Sequence, residues 1–277
     1  MKKAKRVLAL GLAFILGASF MTGCGTSSKK EDSKEIVIGA TIEPHATILN
    51  SDAFQNKIKE LGYTVKVMEY TDYVQPNKAT ADGSLDANYF QHQPFLDDFN
   101  SKNGDSLVSV AKIHFEPLGI YAGKSSDLTK IKDGAVIAVP NDSSNEARAL
   151  KLLEAQGILT LKDGVGLEAT VKDIVKNPYN VTFQEVESAQ VSKVLKDVDF
   201  AVINGNYALQ AGLDVSKDAL ASEAVDSEGA DTYANILVVK KGNEDSAKTK
   251  ALVEALTSDE VKDFINEKFS GSVVPVF

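Results

Sequence analysis

The chain has 277 residues, enough to bury a sizeable core in one large or two modest domains. Its 39 acidic residues against 30 basic ones give a formal charge of −9, a surface that repels nucleic acid and anionic membrane and argues against DNA or RNA binding. Cys24 is the only cysteine, so an internal disulfide is excluded.

The first element is a targeting segment. Lys2, Lys3, Lys5 and Arg6 form a basic region, and Val7 to Met21 is apolar but short for a membrane span. Met21-Thr22-Gly23-Cys24 resembles a bacterial lipobox, with Met where Leu is usual. The expectation is a signal peptide over 1–23 and lipid modification at Cys24. Residues 24–34 are polar and without periodicity, as suits a flexible tether. Cleavage would remove four basic residues and no acidic ones, leaving 26 against 39 and a charge of −13.

Beyond the tether, Ile36 to Ala40 reads as a short strand and Thr41 to Ala46 as a loop around Pro44. Phe54, Ile58 and Leu61 recur at helical spacing before Gly62, and Val65 and Val67 alternate in a second strand. Strand, helix and strand in this order predict an α/β fold with a largely parallel sheet. A helix over Gln75 to Asp82 follows, then a strand from Leu85 to Phe90 entering the loop Gln91 to Pro94, and a short helix through Phe95, Leu96 and Phe99. Leu107 to Phe115 and Leu118 to Ala122 are extended, separated by Glu116-Pro117. Gly123 to Gly134 is polar and suits a crossing between domains.

Val136 to Val139 reads as a buried strand, broken by Pro140-Asn141-Asp142. Ser143 and Glu146 have the spacing of a capping box, Ala147, Leu150 and Leu153 mark an apolar helix face, and Gly157 stops it. Arg148 shares a face with Ser144 and Asn145. A cation near a helix N-terminus opposes the macrodipole, so it tends to be there for a partner. Leu167 to Val175 is amphipathic, Val181 to Val186 a strand, Ala189 to Leu195 a helix, and Asp199 to Ile203 a buried strand ending in Asn204-Gly205-Asn206-Tyr207. Tyr233 to Lys240 is a strand that crosses back, and helices near Ser246 to Leu256 and Asp259 to Lys268 complete the chain. The pattern is two α/β halves, the second inserted into the first. Ligands of open α/β sheets sit outside the carboxyl ends of strands, where the polar and aromatic clusters fall.

For chemistry, His45, His92 and His114, with Glu43 and Glu116 nearby, are the candidate metal ligands, but none has close ligand spacing and no metal is expected. Nucleophile-elbow, phosphate-loop and dinucleotide motifs are absent, so the reading is not an enzyme, and no cofactor is implied. A binding module accounts for more. Tyr89, Phe90, His92, His114 and Phe115 supply aromatic walls, and Arg148 with Asn145, Asn204 and Asn235 supplies groups for a zwitterion.

Four stretches carry a resemblance: Asn88-Tyr89-Phe90-Gln91-His92-Gln93-Pro94, Ala138-Val139-Pro140-Asn141-Asp142, Leu161 to Leu167 (LKDGVGL), and Ala201-Val202-Ile203-Asn204. In this order the chain resembles the methionine-binding lipoproteins of methionine ABC importers, the NlpA family, from about Ile36 to the C-terminus. The resemblance implies a type-II periplasmic-binding-protein fold, two lobes joined by a two-strand hinge, with 35–122 and 233–277 in lobe 1 and 123–232 in lobe 2. It implies a monomer that captures L-methionine, sometimes D-methionine or a methionyl dipeptide, and passes it to a permease and its ATPase from the extracytoplasmic face of the cell membrane. Arg148 matches the residue gripping the ligand carboxylate. Asn145, Asn204 and Asn235 match its polar contacts. Tyr89 and His92, with His114 or Phe115, match the wrap around the thioether. The same fold tuned to another amino acid, and a surface interaction lipoprotein, are the alternatives.

Overall fold

Glu35–Thr41 (β1) begins the described part of this computed structural model, which covers residues 33–225 and 228–277. Ile36, Ile38 and Ala40 are fully buried, and β1 pairs in parallel with both Thr64–Tyr70 (β2) and Ala87–His92 (β3). Burial on both faces explains why β1 reads as an apolar run, while β2, at the sheet edge, keeps the alternation of Val65 and Val67. The helix Asp52–Glu60 connects β1 to β2, starts on Ser51, and sinks Phe54 and Ile58 into the core behind the sheet.

Leu107–Phe115 (β4) lies in the same sheet, and the chain then leaves it at Glu116-Pro117-Leu118. Gly119–Ala122 (β5) pairs antiparallel with later strands of a second sheet. The sequence reading placed these residues with the first half. They belong to the other sheet because Pro117 has no N–H to continue β4, and the crossing falls there rather than at Gly123. Val136–Pro140 (β6) follows. Thr160–Leu161 (β7) and Ile174–Lys176 (β8) make a small hairpin of their own. Thr182–Val186 (β9), Phe200–Ile203 (β10) and Ala219–Ser222 (β11) complete the second sheet, in the order β11-β5-β10-β6-β9. Asn235–Lys240 (β12) and Val274–Pro275 (β13) return to the first, ordered β13-β4-β12-β3-β1-β2.

Each sheet carries its own core. Ile38, Tyr89, Ile113 and Leu237 anchor one, and Ile120, Ile137, Leu150 and Phe200 the other. The amphipathic stretch at 167–175 is not a helix. Asp173 folds back to accept from the Thr170 N–H and hydroxyl, making a single tight turn over Val171–Asp173 that feeds β8. A short stretch with four β-branched residues fits either period, and the local Asp–Thr bonds decide it. Among the described residues no helix is long and apolar enough to cross a membrane. The signal segment, Cys24 and most of the tether lie outside the described residues.

Candidate ligand-binding site

The C-terminal ends of β3, β6 and β10, the crossing after β4 and the start of β12 all reach one narrow cleft. Register alone places Asn235 between two histidines, because it is the cross-strand partner of His92, which also lines the cleft, and of His114, which lies behind it.

His92 caps the helix Gln93–Asn103, its Nδ1 accepting from the Phe95 N–H at 3.2 Å. Nε2 therefore carries the proton and donates to Asn145 Oδ1 at 3.1 Å. Asn204 Nδ2 donates to the same oxygen at 2.8 Å, so one amide on the second half joins a histidine of the first to a strand end of the second. Burial, then the Arg148 charge, lowers the His92 pKa to about 3 and keeps the ring neutral.

The helix Ser143–Ala155 is capped by Asp142 rather than Ser143. The Asp142 carboxylate accepts from the Asn145 N–H at 3.1 Å and from its side-chain amide at 2.7 Å. Glu146 does not close a capping box; its carboxylate accepts from the Val171 N–H at 3.0 Å. Asp142 occupies the extended cap position with a charged acceptor, the stronger partner for orphan N–H groups.

Arg148, read as a cation awaiting a partner, already has an internal one. Its Nε and Nη2 donate to Glu223 at 2.8 and 2.5 Å, and Nη2 also donates to the Glu116 carbonyl at 2.9 Å. The guanidinium lies over the Tyr233 ring at 4.3 Å and near Phe115 at 5.6 Å. Burial works against its charge, and Glu223 more than offsets this, raising its pKa.

Glu116 is buried, and burial raises its pKa while His45 and Arg148 pull it down. Its Oε1 is 2.7 Å from His114 Nε2 and 3.4 Å from His45 Nε2. Among the described residues His45, His114 and Glu116 are the set whose ligand atoms could surround a metal ion, all within 4.8 Å of one another. Two segments 69 residues apart supply them, one with His45 and one with His114 and Glu116, which is why sequence spacing did not announce the cluster.

Of the predicted site residues, His92, Asn145, Arg148, Asn204 and Asn235 line the cleft. Tyr89, His114 and Phe115 do not. Tyr89 and His114 are buried behind Glu116, bonded to each other through the phenol and Nδ1, and Phe115 packs with Ala230 and Tyr233. Their side chains are interior because β3 is buried along its whole length and β4 over its last three residues. Gln91, Glu116 and Asn206 were missed as lining residues, as were Tyr73 and Phe95, which with Phe90 form an aromatic end. The Tyr73 ring is 5.8 Å from Phe90 and 5.5 Å from Phe95. Tyr73 follows the end of β2 by three residues, the one signal that pointed to it. Two buried polar atoms lack a partner here, Asn204 Oδ1 and Asn206 Nδ2. An acceptor and a donor left unsatisfied in a cleft mark the place of a ligand that has both kinds of group.

Two α/β halves, each with its own sheet and core, with their strand ends turned to one cleft, define a two-lobed substrate-binding protein. Residues 36–277 match the NlpA lipoprotein family, and the chain belongs to it. It is 43% identical over 274 residues to the methionine-binding lipoprotein MetQ of Bacillus subtilis, covering 97% of this chain and 98% of that protein. A crystal structure of a lipoprotein from Ruminococcus gnavus is 51% identical with a TM-score of 0.86, covering 88% of this chain and 100% of that one. A nutrient-binding protein from Burkholderia cenocepacia, solved bound to methionine, is 44% identical with a TM-score of 0.82, covering 87% of this chain and 100% of its own.

Proposed function

We propose that this protein captures methionine in the cleft and delivers it to an ABC importer without chemical change. The observation that carries this reading is the sorting of groups along the cleft. At the polar end, the Glu116 carboxylate and the unpartnered Asn204 Oδ1 suit an ammonium, and Arg148 with the unpartnered Asn206 Nδ2 suits a carboxylate. At the other end, Tyr73, Phe90 and Phe95 offer ring edges and faces to a thioether, worth about 0.3–1.5 kcal/mol per sulfur contact. The kinship with a protein solved around methionine supports the same choice of ligand.

The reading extends to the rest of the molecule. Residues 1–23 act as signal peptide and Cys24 takes the lipid, so that the binding domain is held at the extracytoplasmic face of the cell membrane as a monomer. The two halves, 35–116 with 233–277 and 119–232, act as lobes that close over the ligand, and the closed form is presented to the permease and its ATPase. Isothermal titration of the mature chain with L-methionine tests the proposal. Saturable binding at one site supports it, and heat of dilution alone at millimolar methionine sinks it.

A further inference from the structure

Behind the cleft, two short hydrogen-bond relays run through the first sheet, one ending on Glu116 Oε1 and the other on Asn235, with that carboxylate oxygen 3.4 Å away. In the first, Thr41 Oγ1 lies 2.7 Å from His45 Nδ1, and His45 Nε2 faces Asn235 Oδ1 at 3.0 Å and Glu116 Oε1 at 3.4 Å. In the second, the Tyr89 hydroxyl meets His114 Nδ1, and His114 Nε2 meets Glu116 Oε1 at 2.7 Å. Each Nε2 faces only acceptors, so each ring carries its proton there, and each Nδ1 accepts from a hydroxyl. Thr41, His45, Tyr89 and His114 are all fully buried. Burial lowers the pKa of His45 to about 4 and of His114 to about 3.

We infer that His45 and His114 are positioning residues, His114 through a neutral N–H bonded to Glu116 and His45 through one that faces it, which keep Glu116 an oriented carboxylate for the ligand's ammonium. The inference rests on reading the cleft as an amino-acid site. Neutral donors are the right chemistry for this task. A histidinium beside Glu116 would cancel its charge, whereas a neutral N–H fixes its direction and leaves the charge available. Glu116 is pinned from the other side as well. The Asn206 backbone N–H donates to it, and Gly205 leaves room for it, since a Cβ there would come within 2.7 Å of Glu116 Cβ and 2.8 Å of Oε2. Oε1 is thus held by His114 and faced by His45, and Oε2 rests against a residue of the cleft wall. The same three groups do not suit a resident metal, because Nε2 of each ring carries a proton and His114 already bonds to Glu116.

The test compares L-methionine with its 2-hydroxy analogue, which keeps the carboxylate and thioether and lacks the ammonium, by titration calorimetry on the mature chain. The native protein is expected to favour methionine by about 100-fold, the scale of a hydrogen-bonded charge pair. His114→Leu is expected to lower methionine affinity at least ~10-fold while the hydroxy acid changes less than ~3-fold, with His114→Gln, which keeps an N–H donor, recovering most of the loss. Gly205→Ala displaces Glu116 while leaving both histidines unaltered. It should narrow the same ratio, and it decides the matter if His114→Leu does not fold. Equal losses for both compounds in these variants would make the relays merely structural and overturn the inference. Stoichiometric Zn²⁺ in the native protein, lost in His114→Gln, would overturn it too. A native protein that binds the hydroxy acid as well as methionine fails the inference alone, and one that binds neither fails the reading of the site as well.

Discussion

Arg148 and Glu223 form a two-pronged ion pair inside the second half of the molecule, with Nε and Nη2 at 2.8 and 2.5 Å from the two carboxylate oxygens. Glu223 also accepts from the Leu118 N–H at 2.9 Å, so this pair ties the helix Ser143–Ala155 to the strand that follows the crossing. A guanidinium held by its Nε and Nη2 edge, with aromatic rings beside it, is aimed rather than free.

Arg148→Ala is therefore expected to act twice. It should abolish methionine binding by about 100-fold or more, and it should destabilise the fold by about 3–5 kcal/mol, because Glu223 is left largely buried and unpaired. Adding Glu223→Gln to Arg148→Leu is expected to recover most of the stability and none of the binding. Denaturant unfolding alongside titration calorimetry separates the two effects, and recovered binding in the double variant would refute the assignment of Arg148 to the ligand.

Tyr73 reaches across the cleft. Its hydroxyl donates to Asn206 Oδ1 at 2.5 Å, and its ring lies 5.0 Å from that of Tyr207. Tyr73→Phe keeps the aromatic wall and removes the bond, so a loss of about 1 kcal/mol, near fivefold in methionine affinity, is expected. Tyr73→Ala removes both and should cost at least tenfold more. Dissociation rates from stopped-flow fluorescence should rise in parallel, since the lost bond joins the two halves.

Stability should depend on pH through the three buried histidines. His45 titrates at about 4, and His92 and His114 at about 3, against 6.5 when exposed. The unfolded chain thus takes up protons first, so their contribution is fully present above pH 6.5 and is lost as pH falls toward 4 and then 3. Each histidine contributes a slope of up to ~1.4 kcal/mol per pH unit. Glu116, whose pKa burial raises, opposes one of the three at the acid end of this range. Urea midpoints measured from pH 8 to pH 4 should be flat above 7 and fall steadily below 6. A midpoint that rises on acidification would contradict the buried neutral state of these rings.

Methionine affinity should follow Glu116 with the pH sense of a carboxylate that binds a cation. The carboxylate faces His45, His114 and Arg148, and of these only the histidines change charge in acid, below about 4 and 3. Protonating Glu116 removes the acceptor for the ammonium. Affinity should be constant at neutral pH and fall as pH drops through the raised Glu116 value, approaching tenfold per unit. Calorimetry of the Glu116→Gln variant should show weak binding with no such slope.

Much of this was legible in the residues alone. Period-2 and period-3.6 patterns marked the strands and helices, and polar residues at strand ends marked His92, Asn145, Asn204 and Asn235, which line the cleft. Those positions are readable because the chain rule is local: a strand that ends in polar residues at its carboxyl end exposes them at the crevice whatever its neighbours are. The errors were also local in origin. Tyr89, His114 and Phe115 lie where β3 and the end of β4 are buried on both faces, so an aromatic or histidine there is core on either side, and alternation could not tell cleft from interior.

By itself, then, the amino-acid order determined two α/β halves, the places where each strand stops, and a family whose motifs pointed to methionine. Only the tertiary structure decided who partners whom. Glu223 lies 75 residues from Arg148, and His45 and Asn235 are 190 residues apart. Such pairs are set by strand register and by where the chain crosses between sheets. A buried charge takes its character from whatever those long-range choices place within hydrogen-bonding distance of it. For Arg148 that neighbour is a carboxylate of its own chain, and for Glu116 it is two neutral histidines.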